Sequence, residues 1–351
     1  MDILDDKIKQ NVLDTEDMYH KIIHMPEHII KAYKEAIIHK PSSFEKLKLS
    51  GIKRVVICGM GGSAISGDIA KAAFSDVLPI EVNKDYKIPY VDDSTLVCIL
   101  SYSGNTEETL SCLKQASEST QYVGVVTSGG KAKEIADGKY LWLELPGGYP
   151  PRSAIGYLFF TLLRLLENFE VISEQSKVVD ATIANLIKKA GAITRNNPMD
   201  MNIAKNAAIK IQNKIPIIYS SNPKFGALAY RWKCQINENA KYPAFWHTFP
   251  EMNHNESEGW ESLGFDDKFI PIILNRMNEE EYYQKRINAF KKIFNKINVD
   301  YSEFFVEGSS VIEEIFSLIY LGDVISWYLA ILQNVNPTTI EFINFLKEEI
   351  S

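Results

Sequence analysis

The sequence predicts an α/β protein of two halves, each a parallel sheet flanked by helices, and three observations carry that expectation. Short continuous apolar runs alternate with helical segments across residues 54–145, the pattern of parallel strands covered on both faces. A weaker echo of the same alternation runs over residues 215–306. At 351 residues the chain exceeds the usual size of one domain, so two hydrophobic cores are the natural arrangement.

The opening stretch to about residue 45 reads as helical, with Ile22, Ile23, Ile29, Ile30 and Tyr33 spaced as one apolar stripe. Strands are expected at 54–58, 80–83, 95–100, 122–127 and 140–145, with helices at 63–73 and 106–117. Gly147-Gly148-Tyr149-Pro150-Pro151 can continue neither element type. The domain hinge is placed there, giving a helical lead-in plus first domain over 1–150 and a second domain over 151–351. After a long helical passage come a strand at 215–220, a helix at 224–239, a strand at 269–274, a helix at 279–295, a strand at 301–306 and two closing helices. The longest apolar stretch, 315–332, is interrupted by Gly322 and Asp323 and reads as a buried helix rather than a membrane span. No short repeat or low-complexity tract is visible.

Hydrophobic residues make up 46% and charged residues 24%, ordinary for a globular enzyme. A formal net charge of -7 argues against nucleic acid as a partner, because phosphodiester contacts demand a basic face. A phosphorylated small molecule stays compatible, since backbone amides hold phosphate without net positive charge. Cys58, Cys98, Cys112 and Cys234 form no CxxC pair and read as free thiols in a reducing compartment. The acidic start Met1-Asp2-Ile3-Leu4-Asp5-Asp6 lacks a signal-peptide core, so a cytoplasmic protein is expected.

Two loops stand out. The first strand ends at Cys58 and runs into Gly59-Met60-Gly61-Gly62-Ser63-Ala64. Glycines let the backbone approach an anion, and Ser63 can cap the helix whose amides point at it. The third strand runs into Ser101-Tyr102-Ser103-Gly104-Asn105-Thr106, whose hydroxyls are neutral donors for phosphate oxygens. Each alone also fits a bland turn or a serine-rich cap. Together they lie where open α/β sheets bind ligands, at the carboxyl ends of parallel strands. A competing pattern is Gly59-x-Gly61-x-x-Ala64 with Glu81 at the end of the next strand, where an acid would hold a ribose, which fits a dinucleotide fingerprint. The hydroxyl loop, which a dinucleotide fold does not need, weighs against it.

Candidate chemistry lies further on, in Asn237-Glu238-Asn239-Ala240-Lys241 and Pro250-Glu251-Met252-Asn253-His254-Asn255-Glu256. Aldose–ketose isomerisation needs a carboxylate that shuttles a proton, a group that opens the sugar ring and a cation that stabilises an enediolate. Glu238, His254 and Arg152 (in Pro150-Pro151-Arg152-Ser153) suit these roles by residue type, although each is also commonplace as a solvated or ion-paired side chain. A zinc site from His247, Glu251 and His254 is the metal alternative, with a spacing that matches no standard ligand pattern.

Gly61-Gly62-Ser63, Ser101-x-Ser103-x-x-Thr106, Pro151-Arg152-Ser153, 237–241 and 250–256 occur in the order found in the bifunctional phosphoglucose/phosphomannose isomerases. The chain resembles that family, part of the phosphoglucose isomerase superfamily with the sugar-isomerase (SIS) fold, from about residue 50 to its end. The resemblance implies two SIS-type, flavodoxin-like subdomains and a reaction through a cis-enediol with no cofactor and no metal. It implies that Ser63, Ser101, Ser103 and Thr106, with the amides of Gly61 and Gly62, hold the phosphate. Glu238 resembles the proton-shuttling base, Arg152 the enediolate stabiliser and His254 the ring-opening residue. In this family that histidine reaches in from the neighbouring subunit of a homodimer, with the active site at the interface. Lys347 resembles a lysine that assists at the ring oxygen, and Thr338 a threonine linked to acceptance of the mannose epimer, with Thr339 the alternative hydroxyl. The family more often reads Asp-Pro-Thr-Pro where this chain has Asn336-Pro337-Thr338-Thr339, so Asn336 and Thr339 are departures. A non-catalytic phosphosugar sensor would keep the phosphate loops but has no need of Glu238, Arg152 and His254. No membrane partner is expected.

Overall fold

The computed structural model describes residues 3–261, 267–306 and 308–350. Met1 and Asp2 of the acidic start lie outside the described residues. The N-terminal helices are α1 (Lys7–Leu13), α2 (Met18–Ile23) and α3 (Met25–Tyr33). There follow β1 (Ile37–His39), β2 (Arg54–Cys58), α4 (Gly61–Phe74), β3 (Ile80–Asn83), β4 (Thr95–Ser101), α5 (Glu107–Ser119), β5 (Val123–Thr127), α6 (Gly130–Ala136) and β6 (Leu141–Glu144). The helical passage comprises α7 (Ile155–Asn168), α8 (Ser176–Ile193) and α9 (Ile203–Ile211). The remainder is β7 (Ile215–Ser220), α10 (Gly226–Ala240), β8 (Phe245–Thr248), α11 (Glu256–Gly259), β9 (Phe269–Arg276), α12 (Glu281–Lys296), β10 (Ser302–Val306), α13 (Val311–Leu332) and α14 (Glu341–Glu349).

Two compact units form, one from His24–Ala184 and the other from Met1–Ile23 with Asn185–Ser351. They are drawn differently from the expected domains 1–150 and 151–351. The Gly147–Pro151 break is a turn inside the first unit, because α7 folds back against α3, α4 and β5 instead of leaving.

The first unit holds a six-stranded sheet in the order β1-β6-β5-β4-β2-β3. β2 through β6 are parallel, and β1 joins β6 antiparallel at the edge. Every residue of β4 is buried, so this strand, near the middle of the sheet, anchors the loop that follows it. Val56, Val97, Ile99 and Val125 pack with Cys112 and Leu113 of α5 in one core cluster.

The second unit carries a four-stranded parallel sheet in the order β10-β9-β7-β8. Its spine is α13, which packs on α10, α9 and α2. By length and composition α13 could cross a membrane, yet 94% of its apolar window is buried, so it is a core helix. Two polar contacts tie it into the unit's interior. Arg231 pairs with Asp323 at 2.5 Å, and Trp327 Nε1 donates to Asp14 at 2.8 Å. Cys58, Cys98 and Cys112 are buried free thiols, and Cys234 is a half-buried one.

Candidate active site

The first candidate loop follows β2. Helix α4 begins at Gly61, with Met60 rather than Ser63 at its cap position, so Ser63 lies inside the first turn. Gly61 has φ +49, a left-handed conformation that explains the glycine. A Cβ on Gly62 would stand 3.1 Å from Pro151 O, so this turn rests directly on the segment that carries Arg152. The N–H groups of Ser63 and Ala64 both reach Met60 O, at 3.0 and 3.3 Å. The amides before them sit where an α-helix ladder supplies no acceptor and where its dipole favours an anion.

The second loop leaves β4, the sheet neighbour of β2. Ser101 Oγ donates to Thr106 Oγ1 at 3.1 Å and accepts Gly104 N–H at 3.1 Å. Thr106 is the cap residue of α5 but makes no side-chain cap bond, so its hydroxyl is turned to the loop instead of the helix. Ser103 Oγ accepts Asn105 N–H at 3.3 Å. Gly104, at φ +70, lies so close to Gly129 that a Cβ would overlap Gly129 O.

That contact exposes a third turn, Thr127-Ser128-Gly129-Gly130 after β5, which sequence reasoning did not single out. Ala132 N–H donates to Gly104 O at 2.9 Å and Lys131 N–H to Asn105 Oδ1 at 3.1 Å. Ser128 gives Tyr102 O two bonds, from N–H at 3.0 Å and from Oγ at 2.6 Å. The signal was a hydroxyl-and-glycine cluster at a strand's end, the same composition that marked the other two loops.

Arg152 is 5% exposed, on the 3-10 turn Pro151–Ser153, whose Ser153 Oγ donates to Pro150 O at 2.9 Å. The first unit therefore gathers Gly61, Gly62, Ser63, Ser101, Ser103, Thr106 and the Arg152 turn at the carboxyl ends of β2 and β4. Hydroxyls, a helix N-terminus and a guanidinium so placed can bind a phosphorylated ligand.

The other predicted residues belong to the second unit. Glu238 sits in the last turn of α10, half-buried. Lys241 ends that helix in the left-handed conformation, φ 53, and its ammonium donates to Glu238 O at 2.9 Å and Asn336 O at 2.5 Å. It thus fastens the helix end to the C-terminal segment. Between them lies a cavity of ≈ 740 Å³ lined by residues including Asn237, Glu238, Tyr242, Asn336, Thr339 and Phe342. Of the two candidate threonines, Thr339 lines this cavity, whereas Thr338 is 7% exposed with its N–H on Asn336 Oδ1 at 2.8 Å. Lys347 is exposed on α14, and His254 is exposed at the end of the 3-10 turn Glu251–His254.

Comparison with known proteins bears on this arrangement. The chain is 37% identical over 343 residues to the bifunctional phosphoglucose/phosphomannose isomerase of Caldicellulosiruptor bescii, a match covering 95% of this chain and 99% of the relative. The chain belongs to the bifunctional phosphoglucose/phosphomannose isomerase family. Residues 200–350 also match the bacterial phospho-glucose isomerase C-terminal SIS domain. A D-glucosamine-6-phosphate 4-epimerase of Sulfolobus acidocaldarius is 38% identical over 248 residues, covering 69% of this chain and 76% of the relative. Among solved structures, a glucose-6-phosphate isomerase like protein from Thermus thermophilus superposes with TM-score 0.65 at 16% identity, covering 99% of each chain. That likeness shows the SIS-type fold.

Family membership favours the catalytic reading over a non-catalytic sensor, and the geometry assembles neither the dinucleotide pattern nor the zinc trio. Glu81 is not at the end of its strand: it pairs in register with Val56, two residues short of Asn83, and its carboxylate meets Arg54 at 3.1 Å. It therefore does not stand where a dinucleotide fold needs its ribose acid. His247 Nδ1 accepts Thr248 N–H at 2.7 Å while Nε2 faces Glu256 Oε1 at 3.9 Å. Among the described residues no three His, Cys, Asp or Glu side chains converge to hold a metal, so His247, Glu251 and His254 are not brought together.

Proposed function

We propose that the chain interconverts glucose 6-phosphate and mannose 6-phosphate with fructose 6-phosphate through a common cis-enediol, without metal or organic cofactor. The observation that carries this reading is the gathering of the Ser101–Thr106 hydroxyls, the α4 N-terminus and the Arg152 turn at neighbouring strand ends, in a family member matched along nearly its whole length. Ser63, Ser101, Ser103 and Thr106, with the Gly61 and Gly62 amides, hold the phosphate. His254, assisted by Lys347, opens the ring. The Glu238 carboxylate takes the proton from C-2 of the open aldose and returns it to C-1, while a hydroxyl proton passes from O-2 to O-1. Arg152 offsets the negative charge that grows on oxygen. Glucose and mannose differ only at C-2, which is trigonal in the enediol, so proton return to either face yields either sugar. Thr338 or Thr339 accommodates that choice. The working form is a cytoplasmic homodimer with the site at its interface and His254 supplied by the neighbouring subunit.

The deciding assay follows fructose 6-phosphate conversion to both aldose phosphates in EDTA, with Glu238→Gln alongside. Activity on both that resists chelation and falls by roughly 10³-fold or more in the variant, with KM little changed, is the expected result. Silence on both sugars sinks the reading in favour of a phosphosugar-binding protein. Loss on chelation alone overturns the metal-free mechanism. Glucosamine 6-phosphate is assayed in parallel, because one close relative is named as its 4-epimerase; turnover there in place of isomerisation would reassign the substrate.

A further inference from the structure

Tyr102 lies between two catalytic elements and is claimed by neither. Its backbone belongs to the hydroxyl loop, flanked by Ser101 and Ser103, and is held by the two bonds from Ser128 to its carbonyl. Its side chain reaches elsewhere. The phenol donates to Pro146 O at 2.7 Å and accepts Tyr149 N–H at 3.0 Å. It thereby spans both ends of the glycine turn whose continuation, Pro150-Pro151-Arg152, presents the guanidinium. The side chain is 8% exposed, and burial pushes its phenol above the ordinary value, so it remains a donor at any working pH. Gly147 and Gly148 (φ +88) give that turn little rigidity of its own. The turn's far end packs Tyr149 against Tyr157, with ring centroids 5.2 Å apart and the rings tilted by 60°.

We propose that Tyr102 is a positioning residue that couples the phosphate-holding loop to the Arg152 turn, fixing the guanidinium relative to the bound phosphate. The inference rests on the isomerase reading and adds to it a residue that acts through the Arg152 turn. Its backbone and side-chain duties are separable, and that separation makes it testable. Tyr102→Phe keeps the packed ring and the carbonyl bonds from Ser128 but frees Pro146 O and Tyr149 N–H. It should loosen the Arg152 turn while leaving the phosphate loop in place.

The experiment is a double-mutant cycle with Tyr102→Phe and Arg152→Ala, measuring kcat, KM for fructose 6-phosphate and inhibition by inorganic phosphate. Tyr102→Phe alone should lower kcat roughly tenfold to a hundredfold, as expected for a misplaced catalytic group, with KM and phosphate inhibition changed by less than about twofold. In the Arg152→Ala background the same substitution should cost less than about twofold, because the group it positions is gone. Equal losses in both backgrounds, or an unchanged kcat beside a crippled Arg152→Ala, overturn the coupling alone. An Arg152→Ala enzyme of full kcat overturns the assigned role of Arg152 and the coupling with it. A lowered melting temperature without the kinetic split marks the hydroxyl as merely structural and also overturns the proposal.

Discussion

Ser101 Oγ donates to Thr106 Oγ1 across 3.1 Å, so the last residue of a buried strand and the cap residue of the following helix are tied to each other. The same Ser101 oxygen accepts Gly104 N–H. The loop is therefore closed on itself, and the phosphate proposed to bind there would meet a loop whose ordering cost has already been met by folding.

Within the proposed phosphate site, Ser101→Ala removes the hydroxyl that bonds both Thr106 and Gly104. KM for the sugar phosphate should rise roughly tenfold to a hundredfold, with a parallel loss of inhibition by inorganic phosphate. Steady-state kinetics with and without phosphate check this, and a change confined to kcat would contradict a binding role.

Gly104→Ala should be far more damaging than its size suggests. The new Cβ overlaps Gly129 O, and both residues lie in turns already fixed by the Ala132–Gly104 and Lys131–Asn105 bonds. We expect a stability loss of about 2–4 kcal/mol, read by denaturant unfolding, with phosphate affinity lost at temperatures where the chain is still folded.

Asp14→Ala tests the second unit. Its carboxylate accepts Met18 N–H at 2.7 Å, Tyr19 N–H at 2.8 Å and Trp327 Nε1 at 2.8 Å. Removing it leaves three buried donors without an acceptor, which should cost about 2–4 kcal/mol. Hydrogen exchange should show the loss in α2 and α13 first.

Glu144 gives a pH signature. Burial pushes its carboxyl up, but hydrogen bonds from His39 at 3.1 Å and Lys133 at 3.2 Å outweigh that and hold it below the usual carboxylate range. A depressed acid contributes stability that is present above the ordinary carboxylate value and is lost as pH falls through its own lower value. Glu144→Gln should therefore flatten the acid-side fall in melting temperature between about pH 5 and pH 3. An unchanged acid limb would rule out this contribution.

Much of this was legible in the chain. β2 and β7 begin and end where their apolar, β-branched runs do, because buried parallel strands must be apolar on both faces. The hydroxyl loop and the Gly61 turn were readable for a related reason, since special backbone geometry leaves its mark in residue type. Edge strands β1 and β8 were missed. Ile37–His39 is only three residues long, and Phe245–Thr248 is half exposed with two polar members, so neither carries a core pattern. Tyr102 was quoted inside its motif but given no role, because its partners at Pro146 and Tyr149 lie far along the chain. The placement of Glu238 beside Asn336 and Thr339 has the same character. Ser63 as a cap failed more simply: the helix starts two residues earlier, where glycine permits a left-handed entry.

The unit formed by Met1–Ile23 and Asn185–Ser351 is discontinuous, and this sets an order of events at the ribosome. Its first helices emerge before the His24–Ala184 segment, yet Trp327, which donates to Asp14, lies 313 residues further along the chain. The unit made from His24–Ala184 is contiguous and can close while synthesis continues. Helices α1 and α2 must instead wait, undocked, until α13 has been made. The half that holds the Ser101–Thr106 loop is thus born early, and the half that holds Glu238 is completed only when Trp327 reaches Asp14.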